Sequence, residues 1–325
     1  MSNPFQYGKI AEDENFIDRD ADRAFLKQSL HSGINVILIS PRRWGKSSLV
    51  KRAMGELCSE CKEVRVCYID AFPITSSAEF YKVFAKAVLK ASASRWQNIV
   101  DASGKFLRSI APRLSFGADP MNEFSLSFEL SDKEEDTNEI LNLPERIAKD
   151  KHLQIVICID EFQSLAKLKD YSKLESRMRS VWQHQQMTSY CLYGSHRHMM
   201  SDIFDSPEKP FFRFGQVYHL QKIAAEDWIR YIVERFSSTG KQISEELAGR
   251  IVGTVDRHSW YVQQLASAVW NFTSEQADEE TFRKGLIWCV DVNSESYRNV
   301  CNTLTELQLN LLKAVAKGEK QLSPA

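Results

Sequence analysis

A short apolar run that leads into a glycine-lysine-serine step constrains the fold of this chain more than any other feature. Residues 35–40, NVILIS, are apolar over a length that suits a strand buried on both faces of a sheet. The segment PRRWGKSS, residues 41–48, follows at once, and a helical pattern begins at residue 48. A loop of the form G-x-x-x-x-G-K-[ST] between a strand and a helix cradles the phosphates of a nucleotide. The sequence therefore predicts a phosphate-binding loop at this junction.

The residues of this loop have distinct predicted roles. Gly45 lets the backbone turn tightly around a phosphate, Lys46 reaches the β- and γ-phosphates, and the Ser47 hydroxyl binds Mg²⁺. The alternative is a strand-turn-helix without a ligand, which gives no reason for the Gly-Lys-Ser step. The predicted nucleotide-binding residues are Pro41, Arg42, Arg43, Trp44, Gly45, Lys46, Ser47 and Ser48.

Ser40 stands where such a loop usually has its first glycine. Glycine relieves crowding where the strand turns into the loop, and serine does not adopt a positive φ cheaply. Pro41 fixes its own φ. We therefore expect the turn at Ser40 to be set in another way that still leaves the loop able to bind phosphate.

A second apolar run ends in two adjacent carboxylates. Residues 155–159 are apolar, and Asp160 and Glu161 follow. Two acids at the end of a buried strand are costly unless a cation or a reaction needs them. Asp160 is predicted to bind Mg²⁺ through a water molecule, and Glu161 to polarise the water that attacks the γ-phosphate. The alternative is a strand that simply emerges into solvent.

Apolar runs of this kind recur along the first two thirds of the chain. They cover residues 35–40, 64–70, 154–160, 189–195 and 216–220, and helical patterns separate them. This alternation predicts an α/β fold with a parallel sheet and helices on both faces. Between the second and third runs, the alternating segment at residues 123–130 predicts an inserted hairpin.

The strand signal disappears after residue 222, and the remaining patterns are helical. We predict a nucleotide-binding core over residues 1–222, with an inserted helix-hairpin region at about 90–150. A helical domain over residues 223–292 and a C-terminal helical region over residues 293–325 complete the predicted organisation.

Composition limits the environment and the partners of the chain. The formal net charge is −1, so no basic field covers the whole molecule, although a local basic patch remains open. No run approaches the roughly 18 apolar residues of a membrane helix, and the polar, acidic N-terminus is not typical of a signal peptide. The seven cysteines are odd in number, which favours reduced thiols and a cytoplasmic location.

Several of these motifs resemble those of one family. SPRRWGKSSL, residues 40–49, resembles the PRRxGK[ST]SL loop of the archaeal-type ATPases, which belong to the STAND branch of P-loop ATPases and are relatives of AAA+ proteins. The segment VICIDEFQ is similar to their acidic strand. Gly194-Ser195 followed by Met199-Met200 is similar to their fourth-strand signature, and residues 16–26 resemble their N-terminal F-x-G-R-E segment.

The resemblance implies a P-loop NTPase fold of the RecA/AAA type with strand order 5-1-4-3-2. That order would bring Lys46, Asp160 and Ser195 to one rim of the sheet, with Ser195 as a polar sensor near the γ-phosphate. Arg213, in a segment similar to the family's P-L-Y-G-R element, would be the arginine that senses phosphate. The helical domain would be a lid that closes over the nucleotide, and residues 303–308 resemble the first helix of a winged-helix domain.

These features predict a Mg²⁺-dependent ATPase whose hydrolysis drives a switch, with ATP and Mg²⁺ as cofactors. Its predicted catalytic residues are Glu161, Lys46, Ser195 and Arg213. A protein or DNA partner would bind through the C-terminal region, a homo-oligomer remains open, and no membrane is involved. Two alternatives remain: a nucleotide-gated binding module that does not hydrolyse ATP, and a DNA-binding ATPase of the origin-recognition type.

Overall fold

The computed structural model describes residues 2–11, 16–17, 19–92, 115–118, 124–127 and 134–318. The chain forms two compact units. One is Ile10–Lys222, and the other combines Met1–Lys9 with Ile223–Ala325.

The first unit is built on a parallel sheet. Its strands are β1 (Val36–Ile39), β2 (Val64–Asp70), β3 (Ser115–Ala118), β4 (Phe124–Ser127), β5 (Gln154–Asp160), β6 (Thr188–Gly194) and β7 (Gln216–His219). Five of them form the parallel sheet in the order β2-β5-β6-β1-β7. When the five predicted apolar runs are numbered along the chain, this is the order 5-1-4-3-2 that the family resemblance implied, and the predicted fold class is confirmed.

Helices cover both faces of this sheet. They are α1 (Asp20–His31), α2 (Lys46–Glu60), α3 (Ser77–Ser92), α4 (Glu134–Leu141), α5 (Leu143–Lys151), α6 (Tyr171–Trp182) and α7 (Arg197–Asp205), with a 3₁₀ helix at Phe162–Lys167. In β1, Ile37 and Ile39 belong to the core beneath α3 and α6, whereas Val36 and Leu38 belong to the core beneath α1 and α2. Both faces of the strand are therefore buried, which explains its continuous apolar run.

The inserted region contains a hairpin whose second strand lies in the segment 123–130 and whose first strand precedes that segment. Strands β3 and β4 pair antiparallel, with Phe116 opposite Leu126. Residues 93–114, 119–123 and 128–133 of the predicted insertion lie outside the described residues.

The second unit is helical. It contains α8 (Ala225–Ser238), α9 (Glu245–Thr254), α10 (Ser259–Phe272), α11 (Glu279–Asn302) and α12 (Glu306–Ala316). A capping box between Thr305 and Gln308 starts α12, because each side chain bonds the backbone of the other residue. Residues 319–325 of the predicted C-terminal region lie outside the described residues.

The N-terminal segment packs in the helical unit, whereas the sequence assigned residues 1–9 to the core. The Asn3 amide donates to the carbonyl of Ser267 at 3.0 Å. The ring of Phe5 is buried against those of Tyr231 and Phe236, at centroid distances of 6.0 and 5.7 Å. Two aromatic residues, Phe5 and Tyr7, in a short polar segment are too few to give a periodic signal, so the sequence pattern could not assign the segment to either unit.

Among the described helices, none combines the length and the apolar character that crossing a membrane requires.

Candidate nucleotide-binding and catalytic site

The candidate site lies at the carboxyl ends of three neighbouring strands. The loop of residues 40–45 follows β1, the acidic pair follows β5, and Ser195 follows β6, which lies between the other two strands. Because parallel strands end at one edge of a sheet, the three segments meet there. Open α/β sheets bind their ligands at this edge.

The loop takes its left-handed residues near its end and not at its start. Gly45, the residue that precedes α2, has φ 88°, and Arg43 has φ 64°. A Cβ on Gly45 would meet nothing within 4 Å, so the backbone conformation and not the space requires glycine there. Ser40 is fully buried and is not among the residues with positive φ. Its N–H donates to the carbonyl of Gly194 at 3.3 Å, and its hydroxyl donates to the carbonyl of Pro41 at 3.1 Å.

The first turn of α2 is joined to the acidic pair. Lys46 is buried, and its Nζ donates to Oε1 of Glu161 at 2.7 Å and lies 3.7 Å from Oδ1 of Asp160. The Ser47 hydroxyl donates to Oδ2 of Asp160 at 2.6 Å. A buried ammonium needs such partners, because an isolated charge in the interior is very costly.

Glu161 is held by three side chains. Its Oε1 accepts from Lys46, and its Oε2 accepts from Ser195 at 2.8 Å and from Gln163 at 2.5 Å. Burial alone would raise the pKa of Glu161, but the hydrogen bonds from Lys46, Gln163 and Ser195 outweigh it and lower the pKa to about 2. The Glu161 carboxyl is therefore ionised at neutral pH.

Asp160 has the opposite shift. Burial raises its pKa, and the charge of Lys46 and the hydrogen bond from Ser47 oppose that rise only in part. The N–H of Glu161 donates to Oδ1 of Asp160 at 2.8 Å, which fixes the carboxylate. Protons therefore bind Asp160 more readily than its neighbour.

The oxygen donors present fit a magnesium ion. Mg²⁺ prefers oxygen ligands, and it commonly uses one or two protein side chains together with water and phosphate oxygens. The Ser47 hydroxyl and the Asp160 carboxylate are in contact and supply such oxygens. Within the described ranges, no group of three or more His, Cys, Asp or Glu side chains could hold a metal ion alone.

A cavity of about 380 Å³ opens beside these groups. It is lined by three basic residues (Arg42, Arg43 and Lys46), three acidic residues (Asp70, Asp160 and Glu161) and Phe72. Nε of Arg42 donates to the Ser195 hydroxyl at 3.3 Å, so the loop also contacts the segment after β6. A concave site with several cations suits a polyphosphate.

No family model matches this sequence, and a search of curated proteins returns no match. Solved structures do match. A Walker-type ATPase of Pyrococcus abyssi matches with a TM-score of 0.65 and 15% identity, over 92% of this chain and 78% of that one. The ORC2 protein of Aeropyrum pernix, in ADPNP-ADP complexes, matches with a TM-score of 0.59 and 16% identity, over 97% and 80%. The ORC1 protein of the same organism, in complex with DNA, matches with 0.53 and 13%, over 96% and 75%.

The chain has the fold of a P-loop ATPase. The resemblance to archaeal-type, AAA+-related ATPases is confirmed for the fold, and the helical C-terminal region fits the lid of that fold.

Three of the predicted nucleotide-binding residues make other contacts in the structure. The carbonyl of Trp44 accepts from Arg19 at 3.1 Å, and its ring lies 5.7 Å from Nζ of Lys222. The Ser48 hydroxyl accepts from the N–H of Ala11 at 2.9 Å. Pro41 contributes its carbonyl, which accepts from the preceding serine hydroxyl.

Arg213 is not in contact with the P-loop or the acidic pair. It is exposed, with φ 54°, in the segment before β7, and its guanidinium lies over the ring of Phe212 at 5.1 Å. Among the described residues it makes no hydrogen bond or ion pair. The structure thus brings together Lys46, Glu161 and Ser195 of the predicted catalytic residues, but not Arg213.

Sequence reasoning missed two residues that support this site. Gln163 donates to Glu161, and its only signal was its place at the end of the VICIDEFQ motif. Arg19 is buried at φ 73°, and its guanidinium donates to Asp22, to the carbonyl of Gln221 and to that of Trp44. It therefore joins the P-loop to α1 and to the segment after β7. Its signal was the N-terminal motif at residues 16–26.

Proposed function

We propose that this protein is a Mg²⁺-dependent ATPase whose hydrolysis drives a switch for a protein or nucleic-acid partner. The observation that carries the proposal is the joint contact of Lys46 with Glu161 at 2.7 Å and of Ser47 with Asp160 at 2.6 Å. These contacts join Lys46 and Ser47 of the P-loop to the acidic pair that follows β5. A buried lysine beside two carboxylates is a poor choice for packing alone.

Each group has a role in that reaction. Bound Mg²⁺-ATP supplies the phosphoanhydride to be cleaved and the cation that neutralises its charge. Lys46 and the backbone N–H groups at the start of α2 bind the phosphates, while Ser47 and Asp160 hold the ion. Because its pKa is about 2, Glu161 is a weak base, so it orients the attacking water by accepting its hydrogen bond.

Ser195 and Arg213 have proposed sensing roles. The Ser195 hydroxyl accepts from Arg42 and donates to Glu161, so it can pass a change at the phosphates to the water-orienting carboxylate. Arg213 is exposed, so we assign it to a phosphate contact made after a rearrangement or to a site on a neighbouring copy. A protein or DNA partner would bind through the C-terminal region, and the location would be cytoplasmic.

The test is steady-state ATP hydrolysis with Mg²⁺ and with excess chelator, on the wild type and on Lys46→Met. We expect turnover that the chelator abolishes and that the substitution removes together with ATP binding. Lys51→Met is the matched control, because Lys51 is an exposed lysine on the same helix, and it should retain both activities. Turnover that survives the chelator and the Lys46 substitution would contradict the proposal.

The hydrogen bonds that Glu161 accepts from Lys46, Gln163 and Ser195 favour a second candidate, a nucleotide-gated binding module. Both of its carboxylate oxygens already accept hydrogen bonds, so a site that binds ATP without orienting water would look the same. This candidate predicts ATP binding without turnover.

A third candidate, a DNA-binding ATPase of the origin-recognition type, rests on the likeness to the ORC1 protein solved with DNA. It predicts that added DNA binds to the protein and changes the rate of ATP hydrolysis.

A further inference from the structure

The side chain of Gln163 is enclosed beside the proposed catalytic carboxylate. Gln163 lies at the start of the 3₁₀ helix and is 1% exposed. Its Nε2 donates to Oε2 of Glu161 at 2.5 Å. Its Oε1 is buried and has no hydrogen-bond partner among the described residues. Resting on the proposed function, we propose that Gln163 is a positioning residue that fixes Oε2 of Glu161 and thereby directs Oε1 to the attacking water.

The unpartnered oxygen is the first reason for this assignment. A buried carbonyl oxygen without a donor lowers stability, and a methionine of similar length would fill the same space without that cost. The gain that offsets the cost is therefore the contact made by Nε2. That contact has one recipient, the carboxylate of Glu161.

The geometry of Glu161 is the second reason. Its backbone is left-handed, with φ 48° and ψ 41°, a region that is strained for a residue with a Cβ. Gln163 and Ser195 both donate to Oε2, whereas among the described residues Lys46 alone donates to Oε1. When Lys46 turns to the phosphates, Oε1 becomes available to a water and Oε2 stays fixed.

The close approach of Gly194 is the third reason. A Cβ on Gly194 would lie 1.9 Å from Oε1 of Gln163 and 2.8 Å from Sδ of Met200. Only glycine leaves room for the amide at the end of β6. The Gly-Ser step after β6 thus has two linked uses: Gly194 admits Gln163, and Ser195 donates to the same carboxylate oxygen.

The first experiment compares Gln163→Met with the wild type. We expect kcat for ATP hydrolysis to fall about 10- to 100-fold, as is usual when a supporting hydrogen bond to a reactive ligand is lost. The Kd for ATP should stay within about twofold, because Gln163 does not line the cavity. The unfolding temperature should be unchanged or higher, because the unpartnered oxygen is removed.

Gln185→Met is the matched control. Gln185 donates to the carbonyl of Leu141 and accepts from the Tyr190 hydroxyl, before the start of β6 and at the opposite edge of the sheet. This substitution should lower the unfolding temperature and leave kcat unchanged. If Gln163 had a purely structural role, Gln163→Met would likewise lower the unfolding temperature and leave kcat unchanged. That result would overturn the proposal.

A double-mutant cycle tests the link between Gly194, at the end of β6, and Gln163, which follows β5. Gly194→Ala should lower kcat in the wild type, because the new methyl group displaces the Gln163 amide. In a Gln163→Ala background the clash with the amide is absent and only the contact with the flexible Met200 side chain remains, so the further loss of kcat should be much smaller. If the fold-losses in kcat of the two single variants simply multiply in the double variant, the link between Gly194 and Gln163 is contradicted.

Failure of this inference differs from failure of the proposed function. If the wild type hydrolyses ATP faster than Glu161→Gln but Gln163→Met matches the wild type, only the role of Gln163 is wrong. If the wild type has no Mg²⁺-dependent turnover above that of Lys46→Met, the ATPase proposal is wrong, and the role of Gln163 falls with it. Equal rates of the wild type and Glu161→Gln would overturn the role of Glu161 and with it that of Gln163.

Discussion

At the scale of single residues, the P-loop shows how a chain can lack the first glycine of the motif. Ser40 is buried with an ordinary backbone, and the left-handed conformations fall on Arg43 and Gly45. The turn is therefore set by later residues than the motif suggests. Position 40 needs a small residue that fits between the loop and the end of β6, and serine meets that need.

Ser40→Gly should therefore change little in nucleotide binding. We expect the Kd for ATP to stay within about threefold and the free energy of unfolding to fall by about 0.5–1 kcal/mol, because glycine loses more backbone entropy on folding. Calorimetric ATP binding and urea unfolding measure the two effects. Gly45→Ala is the contrasting variant: its φ of 88° is strained for alanine, so it should lower stability by about 1–2 kcal/mol. A large gain in affinity from Ser40→Gly would contradict this account.

The pKa of Glu161 predicts how stability depends on pH. Its pKa falls from the ordinary 4.5 to about 2 in the folded chain, and its side chain is 17% exposed. A lowered acid pKa gives stability that is present above the unfolded value and lost as pH falls from about 4.5 to about 2. The contribution is roughly 2–4 kcal/mol, and the raised pKa of Asp160 opposes it.

The measurement is urea unfolding of the wild type and Glu161→Gln between pH 5 and pH 2.5. The wild type should lose stability faster than the variant as pH falls, because the variant has no carboxyl to protonate at position 161. Parallel curves over this range would show that the pKa of Glu161 is not lowered.

At the scale of elements, the sequence predicts strands better than helix ends. The runs at residues 64–70 and 154–160 coincide with β2 and β5. β5 is buried on both faces, whereas β2 is an edge strand in which Val64, Cys67 and Ile69 are buried. Helix α2 begins at Lys46, two residues before its apolar pattern, because the glycine before it and not a hydrophobic residue sets its start.

The candidate site is predictable in part for the same reason. Strand order places Lys46, Asp160, Glu161 and Ser195 at one edge, and their motifs are local. The supporting residues are different, because Gln163 and Arg19 act through contacts between distant segments. A buried glutamine has no periodic signature, and the roles of Arg19 depend on carbonyl groups at Trp44 and Gln221. Such partners become visible only in three dimensions.

Packing between α10 and α11 gives a prediction at this scale. A Cβ on Gly285 would lie 2.9 Å from Cγ2 of Val269 and 3.0 Å from its backbone nitrogen. Gly285→Ala should therefore lower the free energy of unfolding of the helical unit by about 1–3 kcal/mol, because backbone atoms cannot move aside cheaply. Gly253→Ala is the control: it lies in α9 with nothing within 4 Å, and should raise stability by about 0.4–1 kcal/mol. Denaturant unfolding that ranks the two variants the other way would contradict this packing.

At the scale of the whole molecule, the two compact units share one chain in an unexpected way. The first residues pack with the helices after residue 222, and the unit Ile10–Lys222 lies between these two segments in sequence. The helical unit is thus completed by a segment from the opposite end of the chain. Its stability should depend on that segment.

Phe5→Ala tests this organisation. Phe5 is 5% exposed against Tyr231 and Phe236, so its truncation should cost the helical unit about 3 kcal/mol. Hydrogen exchange should become faster in α8 and α10. Phe272→Ala is the control, because that side chain is 42% exposed in the same unit, and it should change little. Unchanged exchange in α8 and α10 of Phe5→Ala would place the N-terminal segment elsewhere.

We propose that the chain binds ATP through its P-loop and hydrolyses it with a water held by Glu161. The most direct test is to measure ATP binding and ATP turnover in parallel on the wild type and on Glu161→Gln. We predict that both proteins bind Mg²⁺-ATP and that only the wild type turns it over. Equal turnover by the two proteins, or binding without turnover by the wild type, would contradict the claim.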